Sequence, residues 1–261
     1  MPSFSTSTNI IRDQAQNLDY IVTKNADDIF SRILFNYKTG LHAFNIIGSY
    51  GTGKSTFLWA LEKHLHGDIN FFSDKLNGQF SGFKKFEFLK LIGQPKSIRA
   101  SFSELFGSSS IHGEDILSSI DTKREQLNTK KKVLVLVIDE FGKYLEYARK
   151  HDLDDIYFIQ QLAEYCNDPE KQVMLITTLH QNFGGYAKGL SKTQKHEWEK
   201  VKGRLTDLSF DEPVEQLLFF AAEKLGQYKV PKTEQKAWKS LTQSIENSKL
   251  IGKVEHNNFH E

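Results

Sequence analysis

Eight consecutive residues, Gly48-Ser49-Tyr50-Gly51-Thr52-Gly53-Lys54-Ser55, carry the most concentrated chemistry in the sequence. Glycines at the first, fourth and sixth places let a backbone fold so that successive amide hydrogens converge on phosphate oxygens at the positive end of a helix. Side chains at those places would block the approach. Lys54 then supplies a point charge for β- and γ-phosphates, and the Ser55 hydroxyl supplies a ligand for Mg²⁺. Thr56 is a further candidate for a phosphate contact. Tyr50 could stack on a bound nucleotide, but the reading favoured here is a loop aromatic that faces solvent.

A second constellation follows residues 133–138, six apolar residues behind Lys130, Lys131 and Lys132. Such a run marks a central strand covered on both faces. Asp139 and Glu140 come directly after it, at the carboxyl end, where ligands bind in α/β sheets. A carboxylate beside an apolar sheet is costly, so the placement points to chemistry. Asp139 suits the Mg²⁺ shell. Glu140, projecting the other way on an extended backbone, suits polarisation of an attacking water. The plainer alternative is that the two acids cap the next helix.

Both constellations need a strand before them and a helix close behind, and the flanking residues supply these independently. Residues 42–47 are short, apolar and β-rich and stop at Gly48, which reads as a buried strand. Residues 56–66 place Phe57, Leu58, Leu61 and Leu65 on one helical face, with Gly67 as a stop. A helix over 25–37 precedes them, capped by Asn25. Downstream, 86–92 reads as a strand, 98–106 and 115–127 as helices around a Ser-rich loop, 144–150 and 154–166 as helices, and 173–179 as another buried strand. The polar segment 181–202 is expected to be loop with some helix, and 205–210 a last short strand. Two helices follow, one from Pro213 to about residue 225 with Asp211 as cap, the other over 234–247. The expected fold is α/β in three layers with a mostly parallel central sheet. Its parts are a polar leader over 1–24, a core over 25–210 and a short helical appendix over 211–261.

The glycine loop with its flanks and the Val-Leu-Val-Leu-Val-Ile-Asp-Glu run resemble the Walker A and Walker B elements of P-loop ATPases. The Asp-Glu pair is similar to the subgroup with an extra strand between those elements, which includes the AAA+ and STAND ATPases. The resemblance spans roughly residues 25–225 and implies ATP as ligand, Mg²⁺ as cofactor and ATP hydrolysis driving a switch in conformation or assembly. It also implies a polar residue that senses the γ-phosphate at the end of the next strand. Among Thr177, Thr178, His180 and Gln181, the choice falls on His180 or Thr178. Gly203-Arg204 resembles the arginine-finger position of AAA+ proteins, so that Arg204 would act in trans within a homo-oligomer. The alternative is a fold-stabilising arginine. The stretch after Phe210 is shorter than a four-helix lid, which implies a reduced lid or a longer parent protein.

Composition narrows the classes further. Lys and Arg number 34 against 33 Asp and Glu, a net charge of +1, so no whole-chain attraction to nucleic acid or membrane is implied. Lys188, Lys192, Lys195, Lys200, Lys202 and Arg204 around Trp198 could track a nucleic-acid backbone, but Glu197 and Glu199 interrupt them, as on a solvated face. Cys166 is the only cysteine, which excludes an internal disulfide and a multi-thiolate metal site. No apolar run approaches the roughly 20 residues of a membrane-spanning helix, and residues 1–17 lack a secretory core. A cytoplasmic protein is expected. A guanine-reading motif is absent, and the segment 184–202 lacks the arginines of a small-molecule kinase lid. The remaining alternative is a slowly hydrolysing, nucleotide-gated scaffold for nucleic acid or protein.

Overall fold

The computed structural model describes residues 8–18, 20–73, 80, 85–151 and 153–211, and beyond them Gln235, Lys236, Lys239, Ser240 and Gln243. The chain divides into two compact units, Met1–Glu212 and Pro213–Glu261. The helix expected from Pro213 lies outside the described residues. Of the helix expected over 234–247, the five described residues are helical.

The first unit runs α1 (Lys24–Lys38), β1 (Ala43–Ile47), α2 (Lys54–His66), β2 (Lys85–Ile92), α3 (Ile98–Phe106), α4 (Gly113–Asn128), β3 (Lys132–Asp139), α5 (Gly142–His151), α6 (Leu153–Cys166) and β4 (Val173–Leu179). A 3-10 turn (Phe183–Ala187), α7 (Lys192–Lys202) and β5 (Thr206–Ser209) complete it. The five strands form one parallel sheet in the order β2-β3-β4-β1-β5. Strand β4 therefore stands between β1, which feeds the glycine loop, and β3, which ends in Asp139. The strand at 86–92, whose place the sequence left open, is the edge strand beside β3.

Strand β3 shows why the sheet is central. Val133, Val135 and Val137 join a core with α1 and α2, while Leu134, Leu136 and Ile138 join a second core with α3 to α7. Alternate side chains of a strand point to opposite faces, so an unbroken apolar run is required when helices cover both. Each fully buried side chain of this size contributes about 1.5 to 3 kcal/mol. The result is three layers, with every strand's carboxyl end on the same edge. No helix among the described residues is long and apolar enough to cross a membrane.

Local capping corrects one expectation and sharpens another. Thr23, not Asn25, caps α1: its hydroxyl accepts from Ala26 N at 2.9 Å while Asn25 already lies in the helix. The segment 181–202 holds a full helix, α7, started by a capping box between Ser191 and Gln194. The leader is also more than a polar tail. Ile10 and Asp13 are buried, Asn9 N donates to Asp13 Oδ2 at 2.8 Å, and Gln14 Nε2 reaches Glu62 of α2 at 3.2 Å.

Candidate functional site

The glycine loop is pinned at its base from both sides. Gly48 N donates to Leu179 O at 3.1 Å, and Phe210 N donates to Ile47 O at 2.6 Å. A Cβ at position 48 would lie 2.3 Å from Phe210 O, so only glycine fits there. Gly51 and Gly53 have φ of +77° and +91°, values that side-chain-bearing residues rarely adopt. Gly53 is the N-cap of α2, and no side chain caps that helix's first turn. Its free amide hydrogens and positive helix end are left for an anion.

Lys54 closes the mouth of the loop. Its Nζ donates to Gly48 O at 2.6 Å and Ser49 O at 2.7 Å, with Thr52 Oγ1 at 3.4 Å. Burial lowers the pKa of this ammonium, and the negative charges of Asp139, Asp211 and Glu140 oppose the shift. A phosphate is a better partner for a desolvated ammonium than two neutral carbonyls.

Across the cleft, Asp139 is 4% exposed. Thr178 Oγ1 donates to its Oδ1 at 2.6 Å, and Glu140 N donates to the same oxygen at 3.1 Å. Glu140 is not on extended backbone as expected: its φ is +54°. The turn is held between neighbouring strand ends. Gly93 N donates to Asp139 O at 2.7 Å, Phe141 N donates to Thr178 O at 3.0 Å, and a Cβ on Gly93 would sit 2.0 Å from Glu140 O. The two carboxylates diverge through this left-handed turn, and that of Glu140 pairs with Lys143.

The end of β4 sorts the sensor candidates. Thr177 Oγ1 turns into the sheet, to Phe44 O at 3.2 Å and Asn45 Oδ1 at 3.1 Å. Thr178 holds Asp139. His180 lies in the cleft, stacked on Tyr50 with ring centroids 4.4 Å apart and planes at 21°, and near the Tyr186 hydroxyl. Tyr50 is 77% exposed, in line with the solvent-facing reading.

These elements enclose a cleft of about 420 Å³, bringing together Tyr50, Gly51, Gly53, Lys54, Ser55, Thr56, Asp139, Glu140, Thr178 and His180. Gly48, Ser49 and Thr52 serve inside the loop as partners of Lys54. Sequence reasoning missed Lys143, Glu146 and Thr8, which also line the cleft. Lys143 was readable as the i+3 partner of Glu140. Thr8, whose hydroxyl is 3.0 Å from that of Thr56, had no sequence signal.

Arg204 is not part of this assembly. It precedes β5, at the opposite edge of the sheet, where its guanidinium pairs with Glu164. Trp198, expected amid exposed lysines, is 1% exposed and donates to Phe183 O at 3.1 Å, so it is closed to base stacking. Lys200 and Lys202 pair with Glu197 and Glu199.

The donor set fits Mg²⁺. Ser55 and Asp139 offer hard oxygen ligands, and Mg²⁺ characteristically takes one or two protein oxygens and fills the rest with phosphate and water. Both hydrogen bonds to the Asp139 carboxylate fall on Oδ1.

No family model matches the chain, and no curated protein matches it by sequence. Among solved structures it is similar to the ORC2 protein of Aeropyrum pernix. In its ADPNP-ADP complexes the TM-score is 0.53 at 14% identity, covering 83% of this chain and 56% of that one. The ADP form of the same protein gives a TM-score of 0.52, also at 14% identity and over the same shares of both chains. The matched region is thus little more than half of that protein's length. With its parallel sheet in the order β2-β3-β4-β1-β5, the chain shares the fold of these ORC2 structures, a three-layer α/β fold of the P-loop NTPase kind.

Proposed function

We propose that the cleft binds ATP with Mg²⁺ and hydrolyses it, and that turnover drives a change of conformation or assembly. The observation that carries this reading is the meeting of an uncapped α2 start, the desolvated Lys54 ammonium and the buried Asp139 carboxylate in one cleft. The similar ORC2 structures were solved with ADPNP and ADP, which supports the same ligand class.

In this reading the α2 amides and Lys54 grip the β- and γ-phosphates, Lys54 exchanging its two loop carbonyls for phosphate oxygens. Ser55 and Asp139 would hold Mg²⁺, which would neutralise phosphate charge. Glu140 takes the proton of a water as its oxygen attacks the γ-phosphorus. The bond from that phosphorus to the β-γ bridging oxygen breaks, and ADP and phosphate leave. His180 contacts the γ-phosphate, and Thr178 keeps Asp139 oriented.

The Glu140–Lys143 pair favours a second reading, a nucleotide-gated scaffold with slow turnover, because it turns the Glu140 carboxylate toward a side chain of its own chain and not toward a water. Steady-state turnover separates the two: a rate above about 1 per minute supports the enzyme, and tight binding below that rate supports the scaffold. Glu140→Gln is expected to keep ATP bound while slowing hydrolysis by roughly 10². Full activity in that variant would remove Glu140 as the base.

Arg204 enters only through assembly. Offered from the opposite edge of the sheet to a neighbouring copy, and released from Glu164, it would stabilise charge at that neighbour's phosphate. Arg204→Ala should then lower turnover, and mixing with Lys54→Ala subunits should restore part of it. Activity independent of the mixing ratio would assign Arg204 to the fold.

A further inference from the structure

We propose that Tyr186 is a positioning residue that holds the His180 ring in the cleft and ties it to the turn carrying Glu140. This rests on the nucleotide reading of the cleft.

His180 is fixed on two sides. One face lies on Tyr50 of the phosphate loop, with centroids 4.4 Å apart and planes at 21°. At its edge is the Tyr186 hydroxyl, 3.0 Å from Nδ1 and 3.3 Å from Nε2, with the two rings nearly perpendicular at 78°. The Tyr186 ring is itself packed in the core. It is 2% exposed and belongs to the core on the α3-to-α7 side of the sheet. Burial raises the pKa of its phenol against hydrogen bonds from the His180 backbone and the Gln181 side chain, so the hydroxyl keeps its proton beside the imidazole.

The same hydroxyl has a second neighbour. A Cβ placed on Gly142 would lie 2.3 Å from Tyr186 Oη, 2.7 Å from Cζ and 2.8 Å from Cε1. The phenol therefore rests directly on the backbone of Gly142, the first residue of α5 and two places after Glu140. A contiguous path results: Tyr50 in the phosphate loop, His180 after β4, Tyr186 in the 3-10 turn, and Gly142 beside the Asp139–Glu140 turn. A ring moved by a γ-phosphate moves against a buried phenol seated on the segment that carries the base. Nothing else among the described residues hydrogen-bonds the His180 imidazole, so the hydroxyl and the Tyr50 stack together set its orientation.

The test is a double-mutant cycle of Tyr186→Phe and His180→Ala, read by turnover and by the affinities for ATPγS and ADP. Tyr186→Phe keeps the ring on Gly142 and deletes only the hydroxyl. It is expected to lower kcat about tenfold, with KM and ADP affinity within about twofold, and to narrow the preference for ATPγS over ADP. His180→Ala should cost a similar factor, and the double variant should be no slower than His180→Ala alone. A merely structural Tyr186 would instead lower the melting temperature and raise KM. Full activity in Tyr186→Phe, or multiplicative losses in the double variant, would overturn the inference. If the wild type binds neither nucleotide, the reading of the cleft fails and the inference with it. If the wild type turns over and Lys54→Ala does not, that reading stands and the cycle alone decides the role of Tyr186.

Discussion

The two edges of the parallel sheet are built from similar polar residues and treat them in opposite ways. At the amino edge the Asn167 amide and the Arg204 guanidinium are taken up by protein. Asn167 Oδ1 accepts from His42 N at 2.8 Å and Ala43 N at 2.9 Å, and its Nδ2 donates to Arg204 O at 2.8 Å, so one amide joins the entries of β1 and β5 to the end of α6. Arg204 itself is held by Glu164. At the carboxyl edge the groups are held in place but left short of partners: α2 has no side-chain cap, and Lys54 has only neutral oxygens. Buried polar groups normally find partners within the protein. Where a fold leaves a helix start uncapped beside a buried ammonium, that edge is arranged for a ligand.

The contrast is broken most severely at Lys54. Lys54→Ala should abolish measurable nucleotide binding while leaving thermal stability unchanged or slightly higher, since an ammonium desolvated by burial is lost. Calorimetric titration beside a melting curve checks both halves. A large fall in stability would show that Lys54 serves the fold.

Next comes Asn167. Asn167→Ala leaves the His42 and Ala43 amides without their acceptor and should cost about 2 kcal/mol of stability, with nucleotide affinity of the folded protein unchanged. Urea unfolding and nucleotide titration of the same sample separate these. Loss of affinity without loss of stability would erase the distinction between the edges.

The smallest effect is a pH dependence at the same amino edge. His42 Nε2 is 3.1 Å from Tyr37 O, its Nδ1 is buried with no partner, and burial lowers its pKa, against the opposing charge of Asp168. The unfolded chain, with an ordinary histidine pKa of about 6.5, therefore binds a proton that the folded chain resists. Stability is full above that pH and falls as pH drops below it. His42→Phe should flatten the slope of the urea midpoint between about pH 7.5 and 5.5. An unchanged slope would mean that other groups set it.

Much of this was legible in the sequence because the signals were local. The glycine spacing, the six-residue apolar run and the Asp139–Glu140 pair each follow from neighbours along the chain, and the 173–179 strand coincides with β4. What escaped depends on contacts distant in sequence. The left-handed turn at Glu140 is accommodated by Gly93, just after β2 and distant in sequence. The burial of Trp198 depends on Phe183, and the Asn167 clamp spans more than 120 residues. Thr8 reaches the cleft only because Ile10 and Asp13 bury the leader against the core. The α7 capping box, Ser191 with Gln194, was a local signal that went unread amid the lysines.

The most direct test of the central claim is calorimetric titration of the wild-type protein with ATP in the presence and absence of magnesium. The account predicts saturable one-site binding that tightens with magnesium and disappears in Lys54→Ala. No heat at millimolar ATP with magnesium, or equal binding by the Lys54→Ala protein, would contradict it.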